Sequence, residues 1–230
     1  KLRHNGDNAR LEARRARGPR KQRKEPPEAT PVRSHADAPP DEWQEQARIF
    51  TECCAGWLLE GDNPGLDHLH ARGLKDDTLR TWGLGWHDRK RWRGPSKWGL
   101  DGGKRIYLAH GVTIPWTVDG DVYHVKFRQF EGNEPRRDNP KYIRIREGTP
   151  TLYGLDHLKG MGTVVICEGE LDAVLLWQEC GDLVDVVAIG TKGEKLEPKG
   201  LAHLKALRWL VGLDGDADEV LTVHDFALHL

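Results

Sequence analysis

The chain has 230 residues, 31% of them charged, with a formal net charge of -1 and a mean hydropathy of -0.67. The absence of any CxxC pair among its four cysteines argues against a zinc site and a disulfide framework, which makes a cytoplasmic location the expectation. No signal peptide is recognisable and no apolar run could span a bilayer, so no membrane partner is expected.

Residues 1–41 are predicted to be a linker that does not fold on its own. They are basic at first, then rich in Pro, Ala and Glu, and they lack apolar periodicity. A basic block of this kind often binds nucleic acid, but it equally fits a solvated linker with no partner. The first residue is Lys1, so we expect the chain to begin inside a longer protein.

Three helices are predicted next. Asp41 is the expected cap of the first, in which apolar residues recur at helical spacing as far as Leu58. A Gly-Asp-Asn-Pro-Gly segment ends it. Shorter helices are predicted over residues 65–72 and 77–82.

Residues 86–110 are rich in tryptophan and in basic side chains. Trp86, Trp92 and Trp98 alternate with arginines and lysines. This pattern suits single-stranded nucleic acid, because bases stack on rings while cations meet phosphates. A loop that its tryptophans pin to the core fits equally well and is slightly favoured.

Residues 111–146 alternate as strands of a small sheet. Asp119-Gly120 predicts a hairpin turn between a strand at 112–116 and one at 122–130. Alternation places Lys126 and Arg128 on one face, and a returning strand brings three further cations nearby: Lys141, Arg144 and Arg146. Five cations with little acid compensation favour a polyanion contact over an ordinary solvated sheet face.

Three apolar strands in the last third each end in polar residues. The strand at 164–166 is followed by Glu168 and Gly169, and then by a predicted helix, 171–180, with Asp172 on its first turn. The next strand, 184–189, precedes Gly-Thr-Lys-Gly, which includes Lys192. The third, 208–213, precedes Asp214-Gly215-Asp216. These strands predict a parallel α/β sheet whose carboxyl ends bind a ligand.

The carboxylates at this edge suit two kinds of chemistry. They can bind a hard divalent cation such as Mg²⁺ or Mn²⁺, or one can act as general acid or base while the others hold metal. The Asp214–Asp216 pair is the clearest metal-binding element, although such pairs also make turns. The segment around Lys192 fits either a phosphate cradle of backbone N–H groups or a plain turn.

Together these motifs resemble a known family. Residues 165–174 (VICEGELDAV), 187–193 (VAIGTKG) and 210–217 (LVGLDGDA) are similar to the TOPRIM domain shared by bacterial-type primases and topoisomerases. Upstream, four segments resemble the DnaG-type primase core: residues 68–74 (HLHARGL), the strands that include Ile114-Pro115, residues 141–142 (KY) and residues 152–155 (LYGL). The resemblance covers residues 52 to 216 in the family's order.

The resemblance implies an α/β fold: an α+β amino-terminal subdomain, residues 42–160, followed by a TOPRIM domain, residues 161–230. The implied activity is nucleotidyl transfer, the DNA-dependent synthesis of short RNA primers on single-stranded DNA. The implied substrates are nucleoside triphosphates, the cofactor is Mg²⁺ or Mn²⁺ without zinc, and a replicative helicase is an expected partner. By position, Glu168 and Asp172 match catalytic acids of the family, and Asp214 and Asp216 match its metal ligands. The residues expected to contact nucleic acid or nucleotide are Lys126, Arg128, Lys141, Arg144 and Lys192.

The sequence also departs from the family. Ala217-Asp218-Glu219 stands where an Ala-Gly pair is usual, and a later acidic motif and the zinc module are missing, so we expect a fragment truncated at both ends. Two alternatives to a primase stay open. One is a catalytically incomplete TOPRIM module that binds single-stranded DNA, and the other is a TOPRIM nuclease.

Overall fold

The structure is a computed structural model that describes residues 38–129, 140–190 and 208–212. Most of the predicted linker, residues 1–37, lies outside these ranges. None of the helices within them is both long and apolar enough to cross a bilayer. All four cysteines lie inside them as free thiols.

Three helices open the described chain, as predicted: α1 (Asp41–Leu59), α2 (Pro64–Ala71) and α3 (Asp76–Thr81). Most of the residues at helical spacing on α1, from Trp43 to Leu58, are buried, but Trp57 is 44% exposed. Asn63 caps α2, because its side chain accepts a hydrogen bond from the Leu66 N–H at 2.9 Å. The prediction that Asp41 caps α1 is wrong by one position. Pro40 occupies the cap without a side-chain hydrogen bond, and Asp41 is the first helical residue.

A four-stranded antiparallel sheet follows, in the spatial order β1 (Gly85–His87), β4 (Gly111–Val118), β5 (Asp121–Arg128) and β6 (Tyr142–Arg144). The predicted hairpin turn joins β4 to β5. Asp119 and Gly120 have φ angles of 54° and 87°, as a type I′ turn requires. The carboxylate of Asp156 accepts hydrogen bonds from both of their N–H groups, at 2.7 and 3.1 Å, which fixes the turn.

Both faces of β5 are covered, which corrects the expectation that Lys126 lies on a sheet face open to a polyanion. Every residue from Val122 to Phe127 is buried. One face belongs to a core cluster with α1, in which Val125 and Phe127 join Trp43. On the other face, Ile114 and Trp116 of β4 share a buried cluster with residues of the parallel sheet. Lys126 lies on this second face and is only 4% exposed.

Between β1 and β4 along the chain lies a separate two-stranded antiparallel ribbon. It consists of β2 (Arg91–Arg93) and β3 (Ile106–Leu108), with a 3-10 helix, Pro95–Trp98, between them. Trp86 and Trp98 are buried, as expected for tryptophans that pin a loop to the core. Trp92 is 54% exposed and does not follow that expectation.

The described part of the carboxyl-terminal third forms the predicted parallel sheet, so the α/β fold class is confirmed. Its order is β8 (Asp185–Ala188), β7 (Thr163–Cys167) and β9 (Arg208–Gly212), and α4 (Glu170–Cys180) connects β7 to β8. A bridge between Tyr153 and Ala188 joins the preceding segment to the edge of this sheet. Gly154 then turns with φ 96°, where a side chain would press on the Val186 carbonyl and the Trp82 ring.

The division at residue 160 stays a prediction, because the core runs across it. One buried cluster among the described residues contains Leu58, Leu69 and Trp116 from one side of that boundary and Leu171 and Val186 from the other. The two units therefore share apolar surface instead of meeting through a polar linker.

A buried histidine on β5 gives a testable pH dependence. His124 is 1% exposed, and burial, aided by the charges of Lys126 and Arg144, lowers its pKa to about 3. The unfolded chain binds a proton at this residue below about pH 6.5, whereas the folded chain does not, so stability falls as the pH drops. Between about pH 7 and about pH 5 this one group should cost ~2 kcal/mol.

His124→Gln removes the titrating group while keeping a polar side chain. Urea unfolding of both proteins at the two pH values should show a smaller acid-induced loss in the variant, by the same ~2 kcal/mol. Equal losses in the two proteins would contradict the assignment. His70→Gln, at an exposed histidine, is the matched control.

Candidate functional site

The carboxyl ends of the three parallel strands meet at one edge, as predicted. Ala188 of β8 and Gly212 of β9 both pair with Cys167, the last residue of β7. Glu168 comes next and is half-buried. Its carbonyl accepts a hydrogen bond from the Gly190 N–H at 2.8 Å, which holds the end of β8 beside it. We call this the acid edge, defined by Glu168, Gly169, Asp172 and Gly190.

Asp172 lies at this edge because its side chain folds back along the first turn of α4. A methyl group placed on Gly169 would come within 2.6 Å of Asp172 Oδ2, so the carboxylate covers the Gly169 backbone. Asp172 Oδ1 accepts a hydrogen bond from Arg72 Nη2 at 2.6 Å. The structure thus places both predicted catalytic acids at one end of the parallel sheet.

The other acids and one cation predicted for this site, Asp214, Asp216 and Lys192, lie outside the described residues. Gly212, the last residue of β9, pairs with Cys167, the last residue of β7, so both strands end at the acid edge. Within the described ranges, no group of three or more His, Cys, Asp and Glu side chains could hold a metal ion. Glu168 and Asp172 have the hard oxygen donors that Mg²⁺ and Mn²⁺ prefer, so their chemistry fits such an ion, but by themselves they do not complete a site.

Cationic side chains face the acid edge. Arg72 is the carboxyl-terminal cap of α2, and Arg128 is the last residue of β5. Burial lowers the pKa of His68, and the charges of Arg128 and Arg72 lower it further. The Arg128 guanidinium lies 5.2 Å from the centroid of the Tyr142 ring. We call Arg72, Arg128, His68 and Tyr142 the cationic cluster.

Arg128 is the least compensated member of this cluster. Its Nε and Nη1 atoms are buried and have no hydrogen-bond partner in the described part of the chain. Burial lowers its pKa, and so does the positive charge of Arg72. Buried donors without acceptors are costly, so an anion that accepted hydrogen bonds from Arg128 would stabilise it.

Lys126 does not belong to a surface for polyanions, which corrects its predicted role as a nucleic-acid contact. Its Nζ lies 2.6 Å from Glu170 Oε1 and donates to the Gly190 carbonyl at 2.6 Å. The Trp116 ring covers it, with the centroid 4.8 Å away. Burial raises the pKa of Glu170, and the charge of Lys126 opposes that shift. This pair ties β5 to the first turn of α4, two residues beyond Glu168.

Lys141 and Arg144 are exposed beside the cationic cluster. Lys141 Nζ lies 5.7 Å from the centroid of the Tyr142 ring. Arg144 pairs across the strands with Lys126, but on the edge strand β6 it points out of the core. Their predicted contact with nucleic acid stays a prediction.

Sequence reasoning missed Arg72 and Glu170. Glu170 precedes Ala173 and Val174 by three and four positions, so its place on the buried face of α4 was readable from helical periodicity. Arg72 offered no local signal, since its partner Asp172 lies 100 residues away in the chain.

Solved structures of DNA primase catalytic domains have a fold similar to that of this chain. A DNA primase domain from Pseudomonas aeruginosa is 21% identical with a TM-score of 0.61, over 79% of this chain and 64% of that one. A DnaG catalytic domain solved with single-stranded DNA is 16% identical with a TM-score of 0.63, over 80% and 65%. The zinc-binding and RNA polymerase domains of the Aquifex aeolicus primase are 18% identical with a TM-score of 0.61, over 83% and 52%.

The chain therefore spans between half and two thirds of the length of these three structures. At this level of identity the likeness concerns the fold alone. The sequence matches no protein-family model, and no curated protein sequence matches it either.

The Lys126–Glu170 pair can be tested by a double-mutant cycle. Lys126→Met or Glu170→Leu alone leaves one buried charge without its partner, and each should lower the free energy of unfolding by ~3–5 kcal/mol. The double variant has no buried charge there and should lose much less than the sum of the two. Urea unfolding of the four proteins measures this coupling.

Asp182→Asn is the control for the cycle. Asp182 is 97% exposed in its ion pair with Lys159, so its loss should leave stability nearly unchanged. Additive losses for Lys126 and Glu170 would show that they do not act as a buried pair.

Proposed function

We propose that this chain is the catalytic core of a DNA primase, a nucleotidyltransferase that makes short RNA primers on single-stranded DNA. The observation that carries the proposal is that acidic and basic side chains lie side by side at the carboxyl edge of the parallel sheet. An edge with Glu168 and Asp172 faces a cluster in which Arg128 has buried donors without acceptors. A polynucleotide and a nucleoside triphosphate both present phosphates to such a cluster, while acids beside it can handle divalent metal.

Each acid has a proposed role. Glu168 and Asp172 are assigned the catalytic role, and Asp214 and Asp216 the metal-binding role of a TOPRIM-type site. Mg²⁺ or Mn²⁺, when bound, supplies charge stabilisation to the attacking and leaving oxygens. Arg72 orients Asp172 by holding Oδ1, and Gly169 leaves room for Oδ2 above the helix start.

Arg128, with Arg72 and Tyr142, would hold template or triphosphate phosphates, and Lys141, Arg144 and Lys192 would extend that contact. The DnaG catalytic domain solved with single-stranded DNA supports such a partner for this fold. Lys126 acts indirectly: by holding Glu170 and the Gly190 carbonyl, it positions the acid edge. A replicative helicase would be the natural partner of a primase.

Primer synthesis tests the proposal directly. The full chain is given single-stranded template, labelled nucleotides and Mg²⁺ or Mn²⁺, and short labelled products are resolved on a gel. Glu168→Gln and Asp214→Asn should each reduce the rate by about 100-fold or more, a factor that corresponds to ~3 kcal/mol of lost transition-state stabilisation. Single-strand binding should persist in both variants, because neither changes the cationic cluster.

Glu179→Gln is the matched control, since it removes an exposed carboxylate from the same helix. It should leave synthesis unchanged. Wild-type rates in Glu168→Gln would overturn the assignment of the acid edge. Single-strand binding by a wild-type chain that makes no product would favour the alternative of a binding module.

A further inference from the structure

The loop between α2 and α3, residues 72–75, makes a tight turn at the end of α2. Gly73 has a φ angle of 88°, and the Leu74 N–H donates to the Leu69 carbonyl at 3.1 Å. This bond belongs to the Schellman motif, which often ends a helix with glycine in the left-handed region. The motif uses neither the Gly73 carbonyl nor the Lys75 N–H, so both can bond to another element.

Gln178 of α4 bonds both of these backbone groups. Its Nε2 donates to the Gly73 carbonyl at 3.0 Å, and its Oε1 accepts from the Lys75 N–H at 2.8 Å. The two bonds flank Leu74, which is 2% exposed and shares a buried cluster with Leu171 of α4. A carboxylate at this position could accept but not donate, and an ammonium group could donate but not accept. The amide therefore fixes the loop to α4 at two points.

The neighbouring Glu179 orients the Gln178 amide. Nε2 of Gln178 also donates to Glu179 Oε1 at 2.7 Å, and an ionised carboxylate only accepts, so the nitrogen must lie on that side. Glu179 lies 3.6 Å from Lys75 Nζ as well, but both side chains are mostly exposed, and such an ion pair contributes little. The backbone bonds of Gln178 therefore hold the loop more firmly than this ion pair does.

The side chain of Arg72 reaches the other end of the same helix. Its Nη2 donates to Asp172 Oδ1 at 2.6 Å, while its Nε is buried without a hydrogen-bond partner in the described part of the chain. The Asp172 side chain is 64% exposed. So open an ion pair does not by itself hold a long side chain in one place, because side-chain entropy opposes it. The backbone position of Arg72, next to Gly73, therefore decides where its guanidinium lies.

We propose that Gln178 is a positioning residue for the acid edge. By fixing residues 73–75 on α4 it sets the place of Arg72, and Arg72 in turn orients the Asp172 carboxylate. The inference rests on the proposed function, in which Asp172 is a catalytic acid. A glutamine that only stabilised the fold would act independently of Arg72, and this difference can be measured.

A double-mutant cycle in the rate of primer synthesis by the full chain tests the route through Arg72. Gln178→Met removes both backbone bonds but keeps the length of the side chain, and it should slow synthesis by about 10-fold, because small misplacements in a catalytic site are costly. Arg72→Gln should slow synthesis too. Adding Gln178→Met to it should cost little more, because the arginine that Gln178 positions is gone. Losses that multiply in the double variant would overturn the inference.

Two further variants calibrate the cycle. Gln178→Glu keeps the bond from the Lys75 N–H but cannot donate to the Gly73 carbonyl, so its rate should lie between those of the wild type and Gln178→Met. Glu179→Gln is the matched control, because it keeps an acceptor oxygen beside Gln178 and both backbone bonds to the loop, and it should change nothing. Cooperative urea unfolding of each variant establishes that the rates come from folded protein.

NMR of aspartate labelled at the carboxyl carbon gives a second readout that needs no synthesis. The Asp172 signal, assigned with Asp172→Asn, reports the hydrogen bond from Arg72. Arg72→Gln should move this signal, Gln178→Met should move it in the same direction, and Glu179→Gln should leave it in place. A signal that moves in Arg72→Gln but stays in place in Gln178→Met would contradict the positioning role.

The two readouts together separate this inference from the proposed function. A wild-type chain that makes no primer, while the Asp172 signal moves in Gln178→Met, defeats the primase proposal and leaves the hold of Gln178 on Arg72 standing. Synthesis at the wild-type rate by a Gln178→Met chain whose Asp172 signal has not moved defeats the positioning role alone.

Discussion

One buried ion pair determines how the two sheets of this protein meet. Lys126 and Glu170 lie 2.6 Å apart, with side chains that are 5% and 1% exposed. Removing two charges from water is costly, and here the cost is offset by their mutual attraction and by the Gly190 carbonyl. Because Glu170 stands two residues after Glu168, and Gly190 follows β8, the pair fixes both sides of the acid edge relative to the antiparallel sheet.

The charge distribution around that edge is uneven. Asp172 has an arginine partner, Arg72, at 2.6 Å, whereas Arg128 keeps buried donors that nothing in the described chain satisfies. A site with unsatisfied cationic donors favours the binding of an anion, because the anion supplies hydrogen-bond acceptors that the donors lack and displaces no existing partner. The ribbon of β2 and β3 adds exposed cations, among them Arg93 and Arg105, so positive potential extends well beyond the acids themselves.

Local patterns in the sequence predicted the helices, the Asp119-Gly120 hairpin and the parallel strands, because periodicity and turn chemistry act over a few residues. They also placed Glu168 and Asp172 at one edge, since strand ends in a parallel sheet align. They failed for Lys126, because alternation gives the face on which a residue lies but not what covers that face. The Arg72–Asp172 contact was equally hidden, since it joins residues 100 positions apart.

The shared core has a consequence for how the protein is made. The amino-terminal sheet leaves the ribosome first, with Lys126, Ile114 and Trp116 on a face that only later residues cover. Until α4 and β8 have emerged, about 60 residues after Lys126, that face exposes apolar surface and an unpaired ammonium group. The nascent chain thus passes through a stage at which a chaperone would find a binding surface that the finished protein conceals.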